Sequence, residues 1–206
     1  MQHFDQKVPH NEVKQEIFNW IVQVLSVPTP HFNNIPPCPF AKPALDAGRV
    51  DVRVGGRGTI MDAVDYWPPE VDIVVVVPIN RAVWDWDEIE DWCRDQNRIL
   101  EKSDFILVPF VPNGDAPKTN QPDVDCDWAN QEWDWLVDED YPMIFLQRRS
   151  ELIDASNRLR LRGYYKNVPP KYLRWVDERN ANGTRNERRN AKGQEEARNE
   201  KKGSQG

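Results

Sequence analysis

Residues 71–78, VDIVVVVP, constrain the fold more than any other segment of the chain. From Ile73 to Val77 every side chain is apolar and β-branched, which suits a pleated surface and crowds a helical one. A half-exposed strand alternates apolar with polar residues. This run does not alternate, so it predicts a strand covered on both faces and marks the centre of a sheet.

The segment RVDVRVGG, residues 49–56, reads differently. Val50, Val52 and Val54 fall on one face and Asp51 and Arg53 on the other, the pattern of an edge or one-sided strand. DFILVPFVP and YPMIFLQ supply a third and a fourth strand. Helices are expected over about residues 12–27 behind Asn11 as cap, 39–47 before Gly48, 60–66, 86–102, 150–162 behind Ser150, and from Pro169 or Pro170 to Val176. The stretch from Asn113 to Asp140 is too long for a plain loop and is expected to hold a short Trp-rich helix. This order predicts an α/β fold, with α+β as the alternative: a mixed, roughly four-stranded sheet packed with helices, a ferredoxin-like variant being one such arrangement.

The chain has 206 residues, and one domain over residues 1–178 accommodates all of these elements. From Arg179 onward there is no aromatic residue and no Val, Leu, Ile or Met, so burial cannot offset the entropy of ordering; a disordered charged tail is expected over 179–206. The tail holds eight Lys and Arg against four Asp and Glu, so the formal charge of −7 divides into −11 for the body and +4 for the tail. An acidic body argues against broad nucleic-acid binding by that body. The first residues lack the basic start and apolar run of a signal peptide, and no stretch has the length of a membrane span. Cys38, Cys93 and Cys126 form no CxxC pair, so reduced thiols in a cytoplasmic setting are expected, with no membrane partner.

WIVQVL (20–25), CPFAK (38–42), GRV (48–50) and YPMIFLQRRSELIDAS (141–156), in this order, resemble the uncharacterised bacterial family known as domain of unknown function family 1415. The likeness covers about residues 17–160. It implies a shared fold and a shared Cys38 environment, and no activity. Members carry a histidine inside the FxP step where this chain has Phe110, Val111 and Pro112, and an asparagine-arginine pair where it has Glu139 and Asp140.

Cys38 is the candidate catalytic residue. With Pro39 at the first helical position, its thiol would lie beside unpaired N–H groups that favour a thiolate, and Lys42 would add positive charge one turn on. The competing reading buries Cys38 beside Phe40 as a small apolar residue. A glutaredoxin step is rejected, because CPFA here follows a helix and a proline-rich loop and not a strand. Residues 148–175 hold eight bases against two acids among several aromatics, and Arg148 and Arg149 are the candidate ligand-binding arginines beside Lys42. The alternative is that these bases neutralise acidic segments of the same chain.

The acidic, Trp-rich segments WDWDEIEDW (84–92) and DVDCDWANQEWDW (123–135) offer either a sugar or peptide platform or plain core packing. DVDCD fails as a calcium loop, since Trp128 stands where a sharp turn needs glycine and Asp134 where a bidentate Glu is usual. GGRGT (55–59) follows a strand and precedes a helix, so its N–H groups can cup an anion, although it matches no nucleotide fingerprint and a simple turn is the competing reading. His3, His10 and His31 match no metal spacing, no Ser-His-Asp arrangement can be assembled, and no cofactor is implied. Two functions follow as expectations: a small-molecule domain, binding or enzyme-like, that takes an anionic ligand near Cys38, or a non-enzymatic protein-interaction module with a Trp-rich acidic face and a basic tail.

Overall fold

The computed structural model describes residues 9–78, 84, 88–111, 141–168, 170, 173–174, 176–177 and 180. Four strands, β1 (Val50–Val54), β2 (Ile73–Val77), β3 (Phe105–Phe110) and β4 (Met143–Arg148), form one sheet in the order β1-β2-β4-β3. β1 and β2 are parallel, with Val52 opposite Val75, and β4 runs antiparallel to both β2 and β3. The α/β expectation with a mixed four-stranded sheet holds. β1 lies at an edge and β2 inside the sheet, as their residue patterns require. The ferredoxin-like variant does not form: that fold splits its βαβ unit with an intervening strand, and here β1 and β2 are direct neighbours.

Five α-helices are delimited among the described residues: α1 (His10–Trp20) and α2 (Ala41–Asp46) before the sheet, α3 (Arg57–Asp65) between β1 and β2, α4 (Ile89–Ile99) between β2 and β3, and α5 (Arg149–Leu161) after β4. The alternation of strand side chains assigns them to layers. Val50, Val52, Ile73, Val75, Val77, Met143 and Phe145 face α1, α2 and the segment between them. Val74, Val76, Phe105, Leu107, Ile144 and Leu146 face α3 and α4. All five residues of β2 are buried, which is why its sequence is apolar throughout. A third, smaller cluster of Phe32, Leu159, Tyr164 and Val168 joins the proline-rich loop to the end of α5.

Several boundaries differ from expectation, each for a local reason. α1 starts one residue before Asn11, because the Pro9 carbonyl accepts from Glu12 N at 2.9 Å and opens the helix without a side-chain cap. After Trp20 the chain widens into a π-helical turn, Ile21–Leu25. α2 begins at Ala41 with Phe40 as N-cap, so Pro39 is not its first residue and Cys38 stands two residues outside the helix start. α3 begins at Arg57, earlier than its apolar residues suggested. α5 begins at Arg149, and its cap comes from Asp104: Oδ1 accepts from Ser150 N at 2.9 Å and Oδ2 from Ser150 Oγ at 2.7 Å. The expected Trp-rich helix and, apart from Asn180, the expected tail lie outside the described residues.

The free edge of β3 is closed by one side chain. Asn97 of α4 donates from Nδ2 to the Leu107 carbonyl at 2.8 Å and accepts from Leu107 N at 2.7 Å, standing in for a neighbouring strand. Edge strands with unpaired backbone groups invite pairing with other chains, and this amide removes that opening at its midpoint.

Candidate functional site

Cys38 packs at the margin of the first core layer, partly buried, with its backbone N–H donating to the Leu25 carbonyl at 2.9 Å. Burial pushes its thiol above the ordinary cysteine range, and the backbone N–H groups of Phe40 and Ala41 only partly oppose this. At neutral pH the sulfur is therefore protonated. The desolvation cost outweighs the few dipoles that a six-residue helix supplies. Lys42 does not approach it as a free charge, since Nζ is bound to Asp46 at 2.7 Å on an exposed surface.

Arg148 and Arg149 lie elsewhere. Arg148 pairs in register with Phe105, shares its face, and holds its guanidinium 4.3 Å over the Phe105 ring and 5.5 Å from Trp67. That face belongs to the second core layer, across the sheet from Cys38. Arg149 is buried, with Nη2 donating to the Phe105 carbonyl at 3.2 Å. Of the four residues expected to form one pocket, Cys38 and Arg148 thus lie on opposite faces of the sheet.

In the first Trp-rich segment Trp84 and Trp92 are described, and Trp86 lies outside the described residues. Trp84 is 3% exposed and joins the second core layer with Trp92 packed against it, while Asp91 and Asp95 pair on the surface with Arg94 and Arg98. The helical spacing of this segment serves the core. The second Trp-rich segment, residues 123–135, lies outside the described residues.

The arrangement best suited to a ligand is GGRGT. Gly55 N–H donates to the Val77 carbonyl at 3.1 Å, so the loop leaves the sheet at the carboxyl ends of the only parallel pair among the described strands. The carboxyl ends of parallel strands are the side on which open α/β sheets place their ligands. α3 then starts at Arg57 behind Gly56, with no side-chain cap and no acid in its first turn. Its first internal bond is Ile60 N to the Gly56 carbonyl, 3.3 Å, and the N–H groups of Arg57, Gly58 and Thr59 have no acceptor among the described residues.

Of the three glycines only Gly55 is required by space. A Cβ on Gly55 would fall 2.0 Å from Thr59 Oγ1, so only glycine lets that hydroxyl fold back on the loop. A Cβ on Gly56 would rest 3.9 Å from the Trp84 ring, and one on Gly58 would meet nothing within 4 Å. The first turn of the helix is therefore open on the Gly58 side. Arg57 is held in place beside it, its guanidinium 5.3 Å from the Trp84 ring and 5.9 Å from Trp92, with Nη2 donating to Glu88 at 3.0 Å. The buried indole N–H of Trp84 has no hydrogen-bond partner among the described residues, which costs about 1–3 kcal/mol if left unmet.

No group of three or more His, Cys, Asp or Glu among the described residues is arranged to hold a metal ion, and no described helix is long and apolar enough to cross a membrane. No protein-family model matches the chain, and neither a curated protein nor a solved structure matches it.

Proposed function

We propose that the protein binds a small anionic molecule, carrying a phosphate or a carboxylate, at the N-terminus of α3. The observation that carries this reading is the uncapped, glycine-bare first turn of α3 at the carboxyl end of the β1–β2 pair. A helix N-terminus presents roughly half a unit of positive charge and three unsatisfied N–H donors, and the Arg57 guanidinium, seated beside two indoles and sharing its charge with Glu88, stands next to them. Gly58 lets an anion approach the backbone where any side chain would stand in the way.

The reading keeps the anionic ligand expected from the sequence and moves it away from Cys38, Lys42, Arg148 and Arg149. Cys38 serves the core margin with a neutral thiol.

Gly58→Asp tests it cleanly. The new carboxylate would occupy open space and favour the helix dipole, so the variant should melt at or slightly above the wild-type temperature without ligand. Inorganic phosphate at constant ionic strength should raise the wild-type melting temperature as its concentration rises, and should leave Gly58→Asp unmoved. An equal phosphate shift in both proteins would show that the anion acts elsewhere or through solvent alone.

A further inference from the structure

The charge of this chain is divided more sharply than its net value shows. Residues 1–156 hold 13 Lys and Arg against 28 Asp and Glu, and residues 157–206 hold 14 against 6, so the formal −7 divides into −15 and +8. Between Asn157 and Val176 there are six bases and no acid.

The fold gathers the start of this basic stretch around its third cluster. Phe32 stacks on Tyr164 at 4.6 Å, Tyr165 meets Tyr164 edge-on at 4.8 Å, the Tyr164 hydroxyl donates to the Pro37 carbonyl, and Asn167 Nδ2 donates to the Pro30 carbonyl at 2.8 Å. The proline-rich loop and the end of α5 are therefore one packed unit, and exposed bases surround it: Arg158, Arg160, Arg162, Lys166 and Arg174. Two of these arginines lie on aromatic rings. The Arg158 guanidinium is 5.7 Å from the Phe40 ring, itself 38% exposed, and Arg160 is 5.7 Å from Tyr165 while pairing with Asp177.

We infer that this face binds single-stranded nucleic acid. Arg158, laid on a ring and in no ion pair among the described residues, keeps its N–H edge for phosphate oxygens, whereas Arg160 shares its edge with Asp177; the partly exposed Phe40 and Tyr165 rings give bases a surface to stack on. An acidic peptide would use the charges and have no need of the rings. Leu161, 89% exposed among the arginines, is a single side chain and offers too little apolar area to hold a membrane. The acidic remainder of the chain repels a polyanion, so it orients the strand onto this one face and does not oppose binding there.

The test is fluorescence anisotropy of a labelled oligouridylate of about 20 nucleotides, longer than one such face can cover, titrated with the full chain at several salt concentrations. Wild type is expected to bind with strong salt dependence. The fourfold variant Arg158→Gln, Arg162→Gln, Lys166→Gln and Arg174→Gln alters only exposed positions, and far-ultraviolet circular dichroism checks that it folds. Its affinity should fall about tenfold or more, and its log K against log salt should flatten by about 3 if four phosphates are lost at roughly 0.7 each. The inference is overturned if wild type does not bind, or if the fourfold variant binds as tightly and with the same salt slope, which would assign binding to residues beyond this face. Polyglutamate of matched charge binding as tightly as the oligonucleotide would overturn it in favour of an acidic polypeptide.

Discussion

Two helix N-termini at opposite ends of the same sheet have been given opposite treatments. α5 starts at the end where β1, β2 and β3 begin, and Asp104 fills its first turn with a carboxylate that accepts from both Ser150 N and Ser150 Oγ. α3 starts at the other end behind glycines, with no side-chain cap and an arginine in its first position. The physical demand is the same at both, since the first N–H groups of any helix lack internal acceptors. One end meets that demand from within the chain. The other leaves it to water or to a ligand, and the comparison locates the candidate site by contrast.

The contrast can be broken from the α5 side with the largest effect. Asp104→Ala removes both acceptors and should lower stability by about 1–2 kcal/mol in urea denaturation. Asp104 also sits at φ +58°, where Ala is strained, so Asp104→Asn should recover part of the loss by tolerating that backbone and keeping one acceptor. Equal losses in the two variants would mean that the cap contributes little.

A smaller effect is expected at Glu151, on the same turn. Its pKa is raised, first by burial and then by Asp72 and Asp104, with Arg148 and Arg49 opposing. A carboxyl whose folded pKa lies above its unfolded one destabilises the native state while ionised, and the penalty fades as pH falls through the folded value. Glu151→Gln should therefore raise the melting temperature at neutral pH, and the gain should vanish in acid. A gain that persists below the carboxylate range would assign it to packing.

The mildest change sharpens the comparison from the α3 side. Gly56→Ser places a hydroxyl at the N-cap with only ordinary contact to Trp84, and should add a few tenths of a kcal/mol. It should also reduce the phosphate-induced shift, because the hydroxyl competes for the same N–H groups. A separate check concerns Cys38: iodoacetamide should modify it slowly in the native protein and rapidly in denaturant, as a neutral, partly buried thiol requires. Fast native labelling would restore the reactive reading.

Much of the fold was legible because burial writes itself into strand periodicity. Ile73 to Val77 required cover on both faces and received it, and Asp51 and Arg53 between valines required an edge. Ile89, Cys93 and Leu100 were equally readable as core, since their spacing repeats with the helix, whereas Trp84 reaches the same layer from outside it. The site was much less legible. GGRGT is compatible with an anion-binding loop and equally with a turn, and the packing of Trp84 and Trp92 beside Arg57, on which the proposed site draws, is not written in those five residues.

What the sequence determined by itself is the strand inventory, the layering of helices on the sheet and the unequal spread of charge, because each depends on residue type and local period. What tertiary structure alone decided is which distant groups meet. Asp104 caps a helix 45 residues away from it in the chain because β3 begins where β4 ends. Cys38 and Arg148 remain apart because alternation along β4 turns Arg148 to the far face. Pairing register, a property of two strands at once, fixed both outcomes, and no single segment contains it.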